Sequence, residues 1–553
     1  MSKNLTHLSG RKGLTDNLFE RIGELAEETG SPSKEELSQL AEDFLMRPAS
    51  LYGTASFYDF TRPENRGKKV YVCNGSSCLV AGTQEKLKKS IGSHFTEDEI
   101  GEMCCLGRCH ENQAFHYEGN NFSGASAAQL SDIFNQKNQN GVDSYHVEAL
   151  GTAILTAPFP SWEKVVARIR SLLQTSPEMV LDSIQKSGLR GRGGAGFPIG
   201  IKMQTCQKAQ GDMKFVVCNA DEGDPGSFSD RYILEERPEW LLVGMLIAGY
   251  TIGAQTGVIY VRAEYPESIR ALHQAIEAFE NENLAGKKIL GSDFSFQFKL
   301  IEAKGAYVCG EETALLASIE GQRPEVRVRP PFPATEGLFG MPTLVNNVET
   351  LANLYFILDR GGEAFAKLGR GRSTGTKLVS LDSAFKRPGV YEVEMGTPLK
   401  DVVEKMGQGF SKPTKALHIG GPLGGLVPTQ KISELSLDFE SFSEQGFLLG
   451  HASVVGVPED YPMVAYLEHL FEFTAHESCG KCFPCRLGSV RGQELLHKAQ
   501  REDYTIDAEL FDDLLTTMEK GSLCALGGGI PLPMRNALAY FQDELRTYFV
   551  ENR

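Results

Sequence analysis

Four cysteines near the carboxyl end have a spacing typical of iron–sulfur ligands. Cys479, Cys482 and Cys485 form a C-x2-C-x2-C run within ESCGKCFPC, and Cys524 stands apart in SLCALGG. A 4Fe–4S cluster needs four thiolates, and such a run with one remote ligand is a pattern that bacterial clusters use. A structural zinc site is the alternative, although zinc ligands usually come as paired C-x2-C units. We therefore expect these four cysteines to bind a 4Fe–4S cluster.

A second cysteine group lies near the amino end and consists of two pairs. Cys73 and Cys78 have a C-x4-C spacing, and Cys105 and Cys109 have a C-x3-C spacing. Each pair can hold one iron of a 2Fe–2S cluster, and a zinc site is again the alternative. Cys104 is a rival to Cys105, because spacing alone allows either residue to be the ligand. We expect Cys105 to bind the cluster.

Two histidines, His110 and His116, follow this second group in the chain. Because four cysteines already complete the site, we expect both histidines to lie at the surface. The chain has 12 cysteines in all. In a reducing cytosol, metal or redox chemistry explains such clustered cysteines better than disulfides do.

The segment 187–202, SGLRGRGGAGFPIGIK, combines clustered glycines with three cations, and we call it the glycine segment. Glycines let backbone N–H groups converge on one anion, and Arg190, Arg192 and Lys202 add positive charge. A structural glycine-rich loop is the alternative, but it would leave the three cations unexplained. We therefore expect this segment to bind a phosphate group.

The glycine segment contains a formal G-x-G-x-x-G at Gly191, Gly193 and Gly196. A dinucleotide-binding fingerprint follows a strand and opens a helix. Here the preceding residues 180–186 have a helical pattern, so we reject a standard Rossmann interpretation and keep only the phosphate site.

Acidic groups follow a predicted buried strand at 215–217, in the sequence NADEGDPG that begins at Asn219. Ligands of α/β folds bind at strand ends, where carboxylates suit ribose hydroxyls or flavin N–H groups. A solvated acidic turn is the alternative. A second buried strand at 258–261 and a buried helix at 240–250 predict an α/β domain with a covered sheet.

These patterns predict a multidomain α/β protein with five units. They are a helical subdomain (1–58), a compact α/β unit with the first cysteine pairs (59–140), an α/β domain with the glycine segment (141–372), a β-grasp-like module (373–462) and a helical bundle with the carboxyl-terminal cysteines (463–553). A polar stretch at 135–143 has the composition of a linker.

Charge and hydropathy restrict the class of partner. The 553-residue chain has a formal net charge of -16, which argues against a nucleic-acid-binding surface. The most apolar run, 240–254, is too short to span a bilayer, and the amino end lacks the apolar core of a signal peptide. We therefore expect a cytoplasmic protein whose partners are proteins and small molecules.

Five motifs together carry a family resemblance: GRGGAGFP, CNADEGDPGSF, GAYVCGEETAL, PTLVNNVETLANL and ESCGKCFPCR. They closely resemble the flavin-carrying NADH-oxidising subunit of respiratory complex I and the diaphorase subunits of NAD-reducing nickel–iron hydrogenases and NAD-dependent formate dehydrogenases. The resemblance covers about residues 150 to 553. Residues 14–135 resemble the thioredoxin-like 2Fe–2S subunit of the same enzymes, and this fusion is more similar to the hydrogenase subunit than to complex I.

The resemblance also implies which residues hold the cofactors. It implies an FMN site formed by Gly191, Arg192, Gly193, Lys202, Asn219, Asp221, Gly310, Glu311, Asn346 and Asn347. It implies an NADH site formed by Phe197, Glu222, Asp224, Glu312 and Phe332, with both phenylalanines beside adenine. Glu222 and Glu311 would support hydride transfer at FMN, for which no side-chain nucleophile is needed. The family often has Glu at position 224, and Thr205 stands where an aromatic residue can help hold adenine.

The function implied by the resemblance is that of a diaphorase: hydride transfer between NAD(H) and FMN, then single-electron transfer through the clusters to a further iron–sulfur subunit and a catalytic subunit. An NAD-reducing hydrogenase is the first expectation for that subunit. A formate dehydrogenase, complex I-type or electron-bifurcating complex is the alternative. An alternative of another class is a redox-inactive assembly or sensor module. Acidic groups near a ribose 2′-hydroxyl would repel a 2′-phosphate, which favours NAD over NADP.

Overall fold

The structure is a computed structural model that describes residues 13–27, 30–124, 129–135 and 143–550. The predicted linker at 135–143 lies almost wholly outside these ranges. The described residues form helices and mixed sheets in several packed units, so the predicted multidomain α/β fold is confirmed.

The amino-terminal helices are α1 (Leu18–Ala26), α2 (Lys34–Asp43) and α3 (Pro48–Ala55). Asn17 caps α1 by accepting from the backbone N–H of Phe19, and a capping box of Ser33 and Glu36 starts α2. The Asn17 amide also donates to the Ile319 carbonyl at 2.8 Å. The predicted helical subdomain therefore packs directly on the central domain.

The unit with the first cysteine pairs contains β1 (Val70–Cys73), α4 (Ser76–Ala81), α5 (Gln84–Ile91), β2 (Ile100–Met103), β3 (Phe115–Tyr117), β4 (Asn120–Phe122) and α6 (Leu130–Phe134). Its sheet has the order β2-β1-β3-β4, with β1 parallel to β2 and antiparallel to β3. Strand β1 ends at Cys73, so the buried strand fixes the position of the first cysteine.

The central domain follows β5 (His146–Leu150) and contains α7 (Trp162–Leu173), α8 (Pro177–Ser187), α9 (Ile199–Lys208), β6 (Phe215–Ala220), α10 (Ser229–Glu236), α11 (Pro238–Ile252), β7 (Thr256–Arg262), α12 (Pro266–Asn281), β8 (Gln297–Ala303), α13 (Glu312–Ile319), β9 (Thr343–Asn347), α14 (Val348–Ala352), α15 (Leu354–Arg360) and α16 (Gly362–Ala366). Its sheet is parallel throughout, in the order β8-β7-β6-β9. A helix, α8, and not a strand leads into the glycine segment, which agrees with the rejection of a standard Rossmann interpretation.

The next module contains β10 (Gly369–Arg370), β11 (Ser373–Thr374), β12 (Thr376–Leu381), β13 (Gly389–Glu394), α17 (Leu399–Asp401), which continues as a π-helix over Val402–Met406, β14 (Thr414–Ile419), β15 (Gly425–Pro428), α18 (Phe439–Glu444) and β16 (Ser453–Pro458). The sheet order is β15-β14-β16-β12-β13-β5, with β12 and β16 parallel and the β12–β13 and β14–β16 pairs antiparallel. This arrangement agrees with the β-grasp-like module. Strand β5 joins its edge parallel to β13, and the five predicted boundaries remain predictions.

The carboxyl-terminal unit contains α19 (Met463–Glu477), α20 (Phe483–Arg501), β17 (Ile506–Asp507), α21 (Ala508–Gly521), α22 (Ala525–Gly529), α23 (Pro531–Tyr540), α24 (Gln542–Leu545) and β18 (Phe549–Val550). It is a helical bundle with one short parallel strand pair. Cys479 and Cys482 lie between α19 and α20, and Cys524 immediately precedes α22. Among the described helices, none combines the length and apolar character needed to cross a bilayer.

Candidate flavin and iron–sulfur sites

The ends of β6 and β9 meet at one edge of the parallel sheet. Asn219 in β6 is in register with Asn347 in β9, and Asn346 precedes it. The Asn219 amide donates to the Gly310 carbonyl at 2.8 Å, which brings the start of α13 to the same edge. We call the pocket formed by these strand ends, the start of α13 and the glycine segment the cradle. It lies where open α/β sheets bind ligands.

The glycine segment forms a closed loop against β9. The Gly191 N–H donates to the Phe197 carbonyl at 2.8 Å, and Gly194 has a φ of 115°, in the left-handed region that favours glycine. A Cβ added at Gly193 would lie 2.9 Å from Asn347 Cβ. Glycine at position 193 is therefore what allows the loop to approach the strand end so closely.

Three buried polar atoms in the cradle have no hydrogen-bond partner among the described residues: Asp221 Oδ2, Glu311 Oε1 and Asn346 Nδ2. Buried polar groups in proteins are otherwise nearly always paired, so such atoms indicate a missing ligand. Two acceptors and one donor match a flavin ring and its ribityl chain, which offer both N–H or O–H donors and oxygen acceptors. The residues present therefore fit FMN.

Two cations of the glycine segment occupy different environments. Arg192 is fully buried; its guanidinium donates to the Thr374 carbonyl at 2.5 Å, while its Nε and Nη1 have no partner among the described residues. Burial lowers the pKa of Arg192 to about 10, so the side chain stays charged at neutral pH. Lys202 Nζ donates to Glu312 Oε2 at 3.0 Å and to the Val345 carbonyl at 2.9 Å. Arg192 therefore retains donors for an anion, whereas Lys202 links α9 to α13 and β9.

The acidic residues assigned to NADH already have partners within the chain. Glu222 accepts from Ser227 Oγ at 2.6 Å and from the Asp230 N–H at 2.9 Å, so its carboxylate caps α10. Asp224 Oδ1 accepts from the Tyr307 hydroxyl at 2.8 Å. Burial raises the pKa of both carboxyl groups. Their contacts to a nucleotide remain predictions.

Glu311 is the N-cap of α13, where its Oε2 accepts from the N–H groups of Thr313 and Ala314. Its other oxygen, Oε1, has no hydrogen-bond partner among the described residues and lies 3.8 Å from Arg329 Nη1. Phe197 and Phe332 are 51% and 55% exposed, which is unusual for large aromatic side chains and leaves their faces free for stacking. Their predicted contacts with adenine remain predictions.

The first cysteine group is compact. Cys73, Cys78, Cys105 and Cys109 are all buried, and the Sγ atoms of Cys105 and Cys109 are 3.4 Å apart. The Gly107 N–H donates to Cys105 Sγ at 3.4 Å. The Gly226 N–H donates to Cys109 Sγ at 3.2 Å, and such hydrogen bonds stabilise cluster thiolates.

Cys104 is only half-buried and presents its carbonyl, not its thiol, to the Arg262 guanidinium at 3.1 Å. The pKa of the Cys73 thiol lies well above its usual value: its hydrogen bond with Cys105 lowers the pKa, whereas its hydrogen bond with Cys78 and burial raise it. These contacts support Cys105 over Cys104 as the fourth ligand, which we keep as a prediction.

The expectation that His110 and His116 lie at the surface is wrong. Both are buried, at 3% and 8% exposure. His110 Nε2 lies 2.7 Å from Asp143 Oδ1, and its ring packs 5.2 Å from that of Phe228. The histidine is covered because the amino-terminal unit docks on the central domain, which no local pattern reveals.

The second cysteine group gathers at the start of α20 and α22. Cys479 and Cys485 are buried, whereas Cys482 and Cys524 are half-buried. Burial raises the pKa of Cys485 to about 11 and that of Cys524 to about 12, and charges on neighbouring cysteines, Cys479 among them, contribute to both shifts. Thiols with such pKa values keep their protons until a metal displaces them. Three cysteines that belong to neither group, Cys206, Cys218 and Cys309, are also buried.

Each cysteine group is joined to the cradle by a short series of contacts. On one side, the N–H of Tyr307, three residues before Gly310, donates to Glu477 Oε2 at 2.8 Å, and Glu477 lies two residues before Cys479. On the other side, Arg262 contacts the Cys104 carbonyl and lies 3.9 Å from Asp221 Oδ1. Arg262 is the last residue of β7, within the sequence VRAEYP, and it was not among the predicted site residues. A charged residue at the end of a buried strand is the signal in the sequence that could have marked it as a site residue.

Three family models match separate parts of the chain. They are a thioredoxin-like [2Fe-2S] ferredoxin over residues 8–138, the Nuo51 FMN-binding domain over 184–356, and the NADH-ubiquinone oxidoreductase-F iron-sulfur binding region over 465–548. These models agree with the cofactor predictions of FMN, one 2Fe–2S and one 4Fe–4S cluster.

Relatives that match over most of the chain give the same result. An NADH-quinone oxidoreductase subunit of Rhizobium meliloti is 42% identical over 388 residues, 69% of this chain and 92% of the relative. The alpha subunit of the NAD-reducing hydrogenase HoxS of Cupriavidus necator is 32% identical over 561 residues, 95% of this chain and 91% of the relative. A chain in the crystal structure of NAD+-reducing [NiFe]-hydrogenase in the air-oxidized state matches with a TM-score of 0.85 and 28% identity, covering 98% of this chain and 95% of that one.

Fold, cradle and cysteine groups thus define a flavin- and iron–sulfur-dependent oxidoreductase. Within that class, the chain belongs to the family of NADH-oxidising flavoprotein subunits that includes those of NADH-quinone oxidoreductase and of NAD-reducing hydrogenase.

Proposed function

We propose that this chain is the diaphorase subunit of a cytoplasmic NAD-reducing hydrogenase. The observation that carries the proposal is the cradle, which has three buried polar atoms without a hydrogen-bond partner among the described residues and is linked by hydrogen bonds to the surroundings of a cysteine group on each side. Similarity to the HoxS alpha subunit over 95% of this chain supports the choice of partner, a hydrogenase-type subunit with a further iron–sulfur subunit.

In the proposed mechanism, residues of the chain would hold and orient the cofactor, and the cofactor would carry out the redox chemistry. When bound, FMN accepts a hydride from NADH and returns electrons one at a time. The Arg192 guanidinium, and those N–H groups of the glycine segment that are not already paired within the chain, would hold its phosphate. Asp221, Glu311 and Asn346 would pair with the flavin and its ribityl chain and so would fix its orientation. Because alignment at short range supplies most of the barrier reduction in such transfers, a rigid cradle suffices without a nucleophile.

Purification of the full chain without oxygen tests the proposal. We expect one flavin and six irons for each chain, and faster reduction of a viologen dye by NADH than by NADPH. Cys524→Ala should lose the 4Fe–4S signal and keep flavin and the 2Fe–2S cluster. Cys218→Ala, which removes a buried thiol outside both groups, is the matched control and should keep all three.

A chain that binds no flavin and reduces no dye with either nucleotide would instead support the redox-inactive alternative. Equal rates with NADPH would contradict the preference for NAD. Purification together with a formate dehydrogenase-type subunit rather than a hydrogenase would favour the second partner class.

A further inference from the structure

Arg262 is a buried cation that touches both the acidic segment of the cradle and the first cysteine group. It is 3% exposed at the end of β7. Its Nη1 donates to the Glu222 carbonyl at 2.6 Å, and its Nη2 donates to the Cys104 carbonyl at 3.1 Å. Nη2 also pairs with Glu264 Oε1 at 2.6 Å. One side chain therefore fixes two backbone segments that belong to different cofactor sites.

The loop from Cys105 to Cys109 rests on side chains of the central domain. A Cβ added at Gly107 would lie 2.6 Å from the ring of Tyr265, so the loop backbone is packed directly on that ring. Arg231 Nη1 donates to the Gly107 carbonyl at 2.7 Å. The Arg262 guanidinium lies 5.2 Å from the centre of the same Tyr265 ring. The cluster loop is thus held against the cradle by two arginines and a tyrosine.

The charge of Arg262 has a direct electrochemical consequence. A 2Fe–2S cluster gains one negative charge on reduction, and a nearby cation stabilises that reduced state. Charge and hydrogen bonds around a cluster are the means by which a protein adjusts its reduction potential. Glu264 carries the opposite charge 2.6 Å from the guanidinium and so opposes the effect.

We propose that Arg262 is a positioning residue that holds the Cys104–Cys109 loop on the cradle and raises the reduction potential of the 2Fe–2S cluster, with Glu264 limiting the rise. The inference rests on the proposed function for the identity of that cluster. It goes further by assigning the setting of the potential to two residues that bind neither iron nor flavin.

Redox titrations of the holoprotein, followed by electron paramagnetic resonance, test the proposal in the full chain. We expect Arg262→Gln to lower the midpoint potential of the 2Fe–2S cluster by about 59 mV, a tenfold change in a one-electron equilibrium. Glu264→Gln should shift it in the opposite direction. Arg262→Lys, which keeps the charge, should stay closer to wild type than Arg262→Gln. The 4Fe–4S cluster of the same molecule is the internal reference and should not move.

Structural damage alone would not make the midpoint potential of the 2Fe–2S cluster fall in Arg262→Gln and rise in Glu264→Gln. Shifts of the same sign, shifts of equal size in both clusters, or unchanged potentials would overturn the proposal. If Arg262→Gln loses its cluster, Arg262→Lys and Glu264→Gln decide the outcome by the same criteria. A wild-type protein without a 2Fe–2S signal would overturn the proposed function and this inference together, whereas unchanged potentials in a fully loaded protein overturn only the inference.

Discussion

His451 is a single buried residue that ties the β-grasp-like module to the cradle. Its Nδ1 lies 2.7 Å from Ser227 Oγ, and its Nε2 lies 3.2 Å from Asp230 Oδ2. Asp230 also accepts a hydrogen bond from the Asn347 amide at 2.5 Å. Burial opposes a charged imidazole, but the charge of Asp230 and the hydrogen bond to it outweigh burial and raise the pKa of His451 to about 9. At neutral pH the ring is a cation that donates from both nitrogens.

His451→Gln should therefore change how stability depends on pH. A histidine with a pKa of about 9 when folded and about 6.5 when unfolded adds stability that is complete below about pH 6.5 and is lost as pH rises through about 9. We expect wild type to melt at a higher temperature than the variant near pH 6, with the difference falling steadily to a small remainder above about pH 9. Melting curves between about pH 6 and pH 10 measure this.

His418→Gln is the matched control for that series. His418 is also buried, but burial lowers its pKa to about 4, so it stays neutral throughout the range. The difference between wild type and His418→Gln should not vary with pH over this interval. A constant difference for His451→Gln as well would contradict the assignment of a charged imidazole.

Residues whose chemistry depends on local spacing could be predicted from the sequence. The grouping of the cysteines belongs to this class, because most members of each group lie within a few residues of another member; their roles as cluster ligands stay predictions. His451 could not be predicted, because its partner Asp230 is 221 residues away in the chain. The same holds for the burial of His110, which depends on how two units dock.

Helix α20 presents an apolar face to solvent beside the second cysteine group. Phe483, Leu487 and Val490 lie at helical spacing on one side and are 66%, 56% and 43% exposed. The helix begins directly after the half-buried Cys482. Contiguous exposed apolar surface marks interaction sites, and electron exchange requires the partner cluster to come close. Under the proposed function, we therefore expect the further iron–sulfur subunit to dock on this face.

Leu487→Glu should weaken that docking without touching the cradle. We expect the variant to lose co-purification with the iron–sulfur subunit by about tenfold or more, since a charge would be buried at the interface. NADH-dependent reduction of ferricyanide should remain at the wild-type rate. Leu45→Glu is the matched control, because Leu45 is 95% exposed in the turn between α2 and α3 and should not affect assembly. Equal loss in both variants, or in neither, would argue against α20 as the docking face.

Elements with strong periodicity were predictable. Local hydropathy patterns predicted four of them: the buried helix α11, strands β6 and β7, and the helix before the glycine segment. Strand β5 was not predicted, because its half-exposed residues become a strand only by pairing with β13, far along the chain. Sheet partners at such separations are set by tertiary packing, which a local pattern does not encode.

At the scale of the whole molecule, a fully buried ion pair joins the central domain to the β-grasp-like module. Lys377 Nζ on β12 contacts Glu349 Oε2 on α14, and both side chains are 0% exposed. Glu349 Oε1 also accepts from the Leu378 N–H at 2.9 Å. Burial raises the pKa of Glu349, and the charges of Lys377 and of Arg192 in the glycine segment oppose that rise.

Lys377→Met should strongly destabilise the folded protein, because it leaves a buried carboxylate without its cation. Breaking a buried pair by removing one partner typically costs about 3–5 kcal/mol, and adding Glu349→Gln should restore part of the loss. Denaturant titrations of both variants measure the free energy of unfolding. Asp182→Asn, at the exposed pair of Lys186 and Asp182, is the control and should change little. A Lys377→Met variant as stable as wild type would contradict the structural role of the pair.

The two cysteine groups differ in how far they remain reachable once the chain has folded, and this has a consequence for biogenesis. All four thiols of the first group are buried, and Gly226 of the central domain covers Cys109. In the second group, Cys482 and Cys524 are only half-buried. We therefore expect an iron–sulfur carrier to deliver the 2Fe–2S cluster before the amino-terminal unit docks on the central domain, whereas the 4Fe–4S cluster could be inserted, or replaced after oxidative damage, in the folded subunit.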